Sequence, residues 1–249
     1  MNILHPLIEL QTVDSTNLYA EQLLKTQKVP EGTIIFAHDQ TSGKGQGENN
    51  WESEPRKNAT FSLVLYPKFL SPGQQFLLNK VIALGVLDFL HRVTVEQKLS
   101  IKWPNDIYAE NRKIGGILIQ NTLCGTIYES CIAGIGVNIN QETFNSSLPN
   151  PVSLKQITGK DYPVKDAVDL IVECIDIRYR QLQKGSSELP DSEYRDQLFG
   201  INEWRDYFVD KKMIKGKIRD VNESGMLIME MKNGSKRVFN HGEILFIFP

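Results

Sequence analysis

Residues 100–139 read SIKWPNDIYAENRKIGGILIQNTLCGTIYESCIAGIGVNI, and this stretch decides the fold class. Apolar runs rich in Ile, Val and Tyr alternate in it with short polar turns, which is the pattern of successive β-strands. We predict strands at residues 100–103, 107–109, 115–121 and 126–139. Strands that follow one another without an intervening helix argue against a doubly wound parallel sheet.

Helical spacing of apolar residues flanks this stretch on both sides. The predicted helices are a short one that follows the N-cap cluster at residues 14–17 and three more at residues 74–93, 164–182 and 190–199; two further strands are predicted at residues 32–37 and 60–66. This order predicts an α+β domain, in which helices pack on a mixed β-sheet.

The pattern changes near Asn202 to short strands alone. They are predicted at residues 213–219, 226–231, 236–239 and 244–248. The Asn233-Gly234 pair between two of them is a strong signal for a two-residue hairpin turn. We therefore predict two domains, a large α+β domain at residues 1–201 and a small C-terminal β-barrel at residues 202–249.

The composition is that of a globular protein with a sizeable core, at 41% hydrophobic and 23% charged residues. The 28 basic and 30 acidic residues leave a net charge of −2, so no overall field attracts nucleic acid or an anionic membrane. The three cysteines contain no CxxC pair, which suits a reducing cytoplasm. No apolar run is long enough for a bilayer and no signal-peptide pattern is found. We expect a cytoplasmic protein that binds neither nucleic acid nor membrane.

Several familiar catalytic motifs are missing from the sequence. None of the Gly-Lys pairs belongs to a P-loop, and neither a GxSxG nucleophile elbow nor an HExxH metal motif occurs. Glu48 stands where a dinucleotide-binding fingerprint needs its third glycine. The four histidines are far apart in the sequence, so we expect no His-based metal site.

A glycine loop lies within the long polar stretch at residues 39–58. Residues 43–47 read GKGQG and lead on to Trp51. Glycines let backbone N–H groups converge on an anion, and Lys44 adds a positive charge. The loop is therefore either a phosphate cradle or a flexible glycine loop.

Three more polar constellations interrupt the predicted strands. Residues 102–106 (KWPND) place a lysine, an amide and a carboxylate at a strand end, although an ordinary Asn-Asp turn is the simpler interpretation. Residues 112–119 (RKIGGILI) put a basic pair before a double glycine, which suits either a close ligand or a solvated hairpin tip. Residues 134–140 (GIGVNIN) leave one strand face nearly bare, for a ligand or for tight sheet packing.

In this order and spacing, these constellations and the Ser15-Thr16-Asn17 cluster closely resemble the bacterial biotin–protein ligases, also called biotin–[acetyl-CoA-carboxylase] ligases. The resemblance covers nearly the whole chain; its KWPND and GIGVNIN strings are quite specific, and its glycine loop is less so. It implies a class II synthetase-like ligase domain followed by a small SH3-like β-barrel.

The resemblance also implies an activity. Such enzymes join biotin to ATP, release pyrophosphate and hold biotinyl-5′-AMP. They then transfer biotin to one lysine of a biotin carboxyl carrier domain, of acetyl-CoA carboxylase or of another biotin-dependent carboxylase. The expected co-substrate and ion are ATP and Mg²⁺.

The matching positions imply residue roles. Lys113 is the expected catalytic cation at the α-phosphate and the biotin carboxyl oxygen, and Lys102 is expected at phosphate or carboxylate oxygens. Asp106 is expected either to hold Mg²⁺ or to accept the proton of the incoming lysine. The residues expected to bind biotin are Ser15, Thr16, Asn17, Gln40, Gly43, Lys44, Gly115 and Gly116. Those expected to bind ATP or the adenylate are Lys44, Gly45, Gln46, Trp51, Asn105, Lys113 and Asn138.

The glycine loop departs from the family pattern, which is usually rich in arginine. Here the string is GKGQGENNW, and Glu48 offsets the charge of Lys44. A cradle without net charge must rely on backbone N–H groups. We therefore expect the adenylate to be retained more weakly than in arginine-rich relatives.

Two rival functions remain open. A lipoate or octanoate ligase of similar fold would not need the polar ring contacts expected of Ser15, Thr16 and Gln40. A non-catalytic ligand sensor or SH3-like adaptor would not need Lys113. About fourteen residues precede the first predicted helix, too few for the DNA-binding domain of some relatives, so we expect a ligase without a repressor. A homodimer through exposed sheet edges and the role of the barrel are also left open, although the resemblance implies that the barrel contacts ATP or the carrier.

Overall fold

The computed structural model describes residues 5–47, 49–94, 97–146, 148–185 and 188–248, which build two β-sheets and five α-helices. The strands of the first sheet are β1 (Leu7–Leu10), β2 (Ile34–Ala37), β3 (Ala59–Leu65), β4 (Leu99–Lys102), β5 (Asp106–Ala109), β6 (Arg112–Cys124) and β7 (Ile127–Val137). Those of the second are β8 (Trp204–Val209), β9 (Lys212–Val221), β10 (Leu227–Met231), β11 (Lys236–Phe239) and β12 (Leu245–Phe246). The helices are α1 (Thr16–Thr26), α2 (Phe76–Val93), α3 (Leu154–Thr158), α4 (Val164–Gln183) and α5 (Glu188–Asp196).

The first sheet is mixed, in the order β1-β2-β3-β7-β6-β5-β4. Only β1 and β2 run parallel, and every other neighbouring pair is antiparallel. Alternate residues of its central strands face opposite layers, as the two-residue period of a strand requires. Ile35 and Val64 pack with α1, whereas Phe36 and Leu63 belong to the larger core under α2 and α4. The predicted α+β fold, with helices on a mixed sheet, is confirmed.

Helices α2 and α4 form the layer behind the sheet, and they approach each other closely at Gly85. A Cβ added there would lie 2.7 Å from Cγ1 and 2.8 Å from Cα of Ile175. Although α2 is largely buried, no helix in the described part of the chain is both long and apolar enough to cross a membrane.

The second sheet is entirely antiparallel, in the order β11-β10-β9-β8-β12, and is consistent with the expected small barrel. It packs directly on the first. Trp103 Nε1 donates a hydrogen bond of 2.8 Å to the Gly225 carbonyl, and the rings of Tyr108 and Phe248 stack with centroids 5.2 Å apart. These contacts join the regions on either side of Asn202. The domain boundary predicted near Asn202 therefore stays a prediction.

The predicted helices and strands differ from the observed ones where tertiary contacts determine whether an element forms and where it ends. Three elements were not predicted from the sequence: the short edge strand β1, the strand β8, which carries charged residues, and α3, a short helix that begins with a Ser153–Gln156 capping box. The helix predicted at residues 190–199 ends at Asp196. Beyond it, the chain hydrogen-bonds to β4, because Ile101 N donates to Gln197 O and Phe199 N donates to Ile101 O.

We expect Gly85→Ala to lower the free energy of unfolding by about 2 kcal/mol, because the added methyl group must push α4 away. Helix propensity alone predicts the opposite sign, a gain of about 1 kcal/mol. Denaturant unfolding monitored by circular dichroism measures the difference. Gly73→Ala is the matched control, since a Cβ at Gly73 meets nothing within 4 Å. A stabilised Gly85→Ala protein would contradict the close helix contact.

Candidate active site

A cavity of about 490 Å³ opens where the N-terminus of α1, the glycine loop, strands β4–β7 and the β12 end of the second sheet meet. This volume is in the usual range of sites for small molecules. The predicted site residues that line it are Ser15, Thr16, Asn17, Gln40, Lys44, Gly45, Gln46, Trp51, Lys102, Asn105, Asp106, Lys113, Gly116 and Asn138. Gly43 and Gly115 are the predicted residues that do not line it. One cavity therefore collects nearly all of the candidate groups.

Polar groups form the end of the cavity beside α1. Gln40 Oε1 accepts hydrogen bonds from Thr16 N (2.7 Å) and from Thr16 Oγ1 (3.1 Å). Its amide nitrogen therefore points the other way, towards Gly43, where an added Cβ would lie 3.1 Å from Nε2. Ser15 is the N-cap residue of α1, yet its hydroxyl makes no capping hydrogen bond. This end thus contains the Gln40 amide, oriented by Thr16, and the Ser15 hydroxyl among the groups that line the cavity.

Buried hydrogen bonds fix these groups from behind. Ser62 Oγ lies 2.7 Å from Thr16 Oγ1 and 2.6 Å from Asn17 Oδ1. Asn17 Nδ2 donates to Gln120 Oε1 at 3.0 Å and to the Leu118 carbonyl at 3.3 Å. The amide hydrogens of Asn17 are used within the protein, so this residue supports the wall of the cavity. Ser62 and Gln120 were not among the predicted site residues; the signal for Ser62 was one hydroxyl in the otherwise apolar run 61–65.

Two ammonium groups meet one carboxylate at the centre of the cavity. Asp106 Oδ1 lies 2.6 Å from Lys113 Nζ, and Asp106 Oδ2 lies 3.5 Å from Lys102 Nζ. The hairpin pairs Lys102 directly with Asp106, and the next strand places Gly116 opposite Asp106. The three side chains are 20–29% exposed, so their charges are only partly screened by water. The cluster carries a net charge of +1 and suits an anion.

The bare strand face holds protein side chains in this structure. A Cβ at Gly136 would overlap the indole ring of Trp51, and one at Gly116 would lie 3.4 Å from it. A side chain at Gly134 would likewise overlap Asn17. The Trp51 Nε1 donor is buried and has no hydrogen-bond partner among the described residues. The glycines therefore let Trp51 lie flat on the sheet, 5.8 Å from Lys113 Nζ, with one donor unused.

Asn105 and Asn138 use their side-chain amides to fix the backbone around the cavity. Asn105 Nδ2 donates to the Ile117 carbonyl, and Ile117 N returns a bond of 3.1 Å to Asn105 O. Asn138 Nδ2 donates to the Val152 carbonyl at 3.0 Å. These bonds hold the ends of β4, β6 and β7 in one arrangement.

The second sheet supplies part of the wall, although none of its residues was predicted to line the site. His241, Ile244 and Phe246 line the cavity. Burial lowers the pKa of His241, and Lys102 adds to this effect while Asp106 opposes it. His241 is therefore neutral at neutral pH. Nothing in the sequence pointed to His241, whereas the alternating Phe246 and Phe248 were a signal for a packed aromatic face.

The described residues contain no group of three or more His, Cys, Asp or Glu side chains that could hold a metal ion. Both oxygens of Asp106 already face ammonium groups. Mg²⁺ needs near-octahedral oxygen ligation, usually from one or two carboxylates together with substrate phosphates. The protein alone therefore does not fit a magnesium site at Asp106.

Known proteins resemble this chain over most of its length. The bifunctional ligase/repressor BirA of Bacillus subtilis is 28% identical over 238 residues, which cover 94% of this chain and 72% of that protein. A biotin–[acetyl-CoA-carboxylase] ligase of Paracoccus denitrificans is 30% identical over 169 residues, which cover 65% of this chain and 68% of the relative. The biotin protein ligase from Aquifex aeolicus in complex with biotin and ATP superposes with a TM-score of 0.80 at 28% identity, over 96% of this chain and 97% of that one.

Residues 9–138 match the biotin/lipoate A/B protein ligase family. This segment runs from β1 to the end of β7 and contains the whole Lys102–Asp106–Lys113 cluster. The chain therefore belongs to the biotin/lipoate A/B protein ligase family.

Proposed function

We propose that this chain activates biotin with ATP as biotinyl-5′-AMP and transfers the biotinyl group to a lysine of a biotin carboxyl carrier domain. One observation carries the proposal: the Lys102–Asp106–Lys113 cluster and the oriented amide of Gln40 line the same cavity. The names of the relatives and the biotin- and ATP-bound neighbour support it.

The polar end of the cavity suits the ureido ring of biotin. Gln40 turns its amide donor away from Thr16, and a ureido oxygen is an acceptor for it. The Ser15 hydroxyl, free of any capping bond, is a second partner for the ring. The dithiolane ring of lipoate offers no comparable acceptor and would leave these groups unpaired. This difference favours biotin over lipoate.

The charged centre suits the activation step, in which two anions must approach each other. A carboxylate oxygen of biotin attacks the α-phosphorus of ATP, the bond to the β-phosphate breaks, and pyrophosphate leaves. Lys113 stabilises the negative charge at the α-phosphate and at the carboxyl oxygen, and Lys102 contacts the neighbouring oxygens. Asp106 keeps both ammonium groups at one point before the anions arrive.

The same centre serves the transfer step. The uncharged amine of the carrier lysine attacks the acyl carbon, and AMP leaves with the electron pair of the broken bond. Lys113 again stabilises the phosphate oxygen on which charge develops. The incoming ammonium must first lose a proton, and the Asp106 carboxylate is the acceptor in this cluster.

Mg²⁺ enters the proposal as an ion carried by the phosphates of ATP. It would neutralise phosphate charge there, while Lys102 and Lys113 supply the cations that belong to the protein. No step requires a metal ion held by Asp106.

Lys113→Gln is expected to lower biotin-dependent ATP–pyrophosphate exchange by at least about a hundredfold, because the cation at the reacting oxygens is lost. Lys25→Gln, at an exposed ion pair on α1, is the control and should keep wild-type exchange. Undiminished exchange in Lys113→Gln would refute the proposed mechanism. Wild-type exchange with lipoate but not with biotin would instead support a lipoate ligase, and none with either would favour a non-catalytic module.

Gln40→Leu is expected to raise the KM for biotin by about ten- to a hundredfold, because a ureido oxygen then enters the cavity without its donor. Steady-state exchange assays at varied biotin concentration measure this change, and the KM for ATP should remain unchanged. Gln181→Leu, on the exposed part of α4, is the matched control. An unchanged KM for biotin would place the ring elsewhere.

Glu48→Arg is expected to slow the dissociation of biotinyl-5′-AMP, because it restores positive charge to the glycine loop. Glu48 lies outside the described residues, so this prediction rests on the loop sequence alone. Release of radiolabelled adenylate from the purified complex measures the rate. A wild-type protein that releases the adenylate more slowly than the variant would contradict it.

A further inference from the structure

Three aromatic rings surround the amino group of Lys102. Its Nζ lies 5.8 Å from the ring centroid of Tyr108, 5.6 Å from that of Phe246 and 5.8 Å from that of Phe248. Tyr108 belongs to β5 of the first sheet, whereas the two phenylalanines lie in and just after β12 of the second. Two of the three rings around this cation therefore come from the C-terminal sheet.

The two lysines of the cluster are held in different ways. Lys113 is locked to Asp106 by an ion pair of 2.6 Å, whereas Lys102 lies 3.5 Å from the other carboxylate oxygen. Aromatic faces attract a cation through their quadrupole but carry no net charge. Lys102 is thus held by a longer ion pair than Lys113, and the aromatic rings hold it without adding a further negative charge.

The rings themselves are fixed by aromatic packing. Phe248 stacks on Tyr108 with an interplanar angle of 4° and also contacts Phe199 at a centroid distance of 5.2 Å. Phe246 meets Tyr207 edge to face at 5.3 Å and is paired with it between β12 and β8. A rigid aromatic surface built by both sheets therefore lies beneath a side chain that lines the cavity.

We propose that Phe246 and Phe248 are positioning residues for Lys102, and that they hold its ammonium group at the anion-binding part of the cavity. The inference rests on the proposed function, because it assigns to these rings the placement of a cation that meets the phosphates. Phe248 does not line the cavity, and Phe246 lines it beside Lys102, so the role assigned to both rings is exerted through Lys102.

A double-mutant cycle between Lys102 and Phe248 tests the inference. The proteins are the wild type, Phe248→Leu, Lys102→Gln and the double variant, and the readout is kcat/KM for ATP in biotin-dependent pyrophosphate exchange. Phe248→Leu is expected to lower this value about fivefold when Lys102 is present, in keeping with the strength of a partly buried cation–π contact. In the Lys102→Gln background the same change should cost less than about twofold. The KM for biotin should stay constant.

Two further variants separate the ring face from simple packing. Phe248→Tyr keeps the aromatic face and should retain wild-type kcat/KM for ATP. Phe208→Leu removes a partly exposed ring from β8, next to Leu245 in the strand register, and is the control for the second sheet. Equal losses from Phe248→Leu in both Lys102 backgrounds, or no loss in either, would overturn the inference.

Unfolding by denaturant supplies a second cycle that does not depend on catalysis. Phe248→Leu should shift the folding equilibrium about fivefold more in the Lys102 protein than in Lys102→Gln, because only the former loses the cation–π contact. Equal shifts would overturn the inference. A wild-type protein without biotin-dependent exchange would contradict the proposed function alone, and this second cycle would then decide the role of the rings.

Discussion

The carboxylate of Asp106, placed between the ammonium groups of Lys102 and Lys113, is the constraint on which the candidate active site depends. Two like charges so close together repel each other, and a carboxylate between them removes most of that cost. A single acid leaves a net positive charge, whereas a second would cancel the attraction for phosphates. The tight turn between β4 and β5 and the hairpin to β6 bring the three side chains to one point, so the topology of the sheet determines the electrostatics.

The opposite wall depends on the absence of side chains. Gly116, Gly134 and Gly136 lie on the cavity face of β6 and β7, where the indole of Trp51 and the amide of Asn17 cover them. A large ring placed flat on a sheet needs such bare positions, since a methyl group at Gly136 would overlap it. Trp51 is tied to the glycine loop, because its backbone N–H donates to the Gly43 carbonyl at 2.9 Å, so the position of its ring is coupled to that loop. The indole N–H of Trp51 has no hydrogen-bond partner among the described residues, so this donor is available to a ligand.

Much of the cavity lining could be predicted through the family resemblance, because the strings that carry it are short and lie at strand ends. KWPND and RKIGGILI each place several functional groups within a few residues, and local order in the chain becomes local order in space. The residues that support the site from behind could not be predicted from the sequence. Ser62 and Gln120 act on Asn17 from strands that are distant in the sequence, and polar residues in apolar strands do not reveal their partners. Strands β1 and β8 were missed because neighbouring strands, and not their own apolar patterns, define them.

The second sheet is the clearest case of contacts that the sequence does not reveal. From the sequence it is a run of small strands whose role is open. In the structure, Trp103 donates to Gly225, Phe248 stacks on Tyr108, and Phe246 lies against Lys102. Trp103 and Lys102 are neighbours at the end of β4, so one strand end is bound to the second sheet by its indole and by its cation. Any displacement of the second sheet would disturb these contacts beside the charged centre, so the second sheet is an integral wall of the candidate active site.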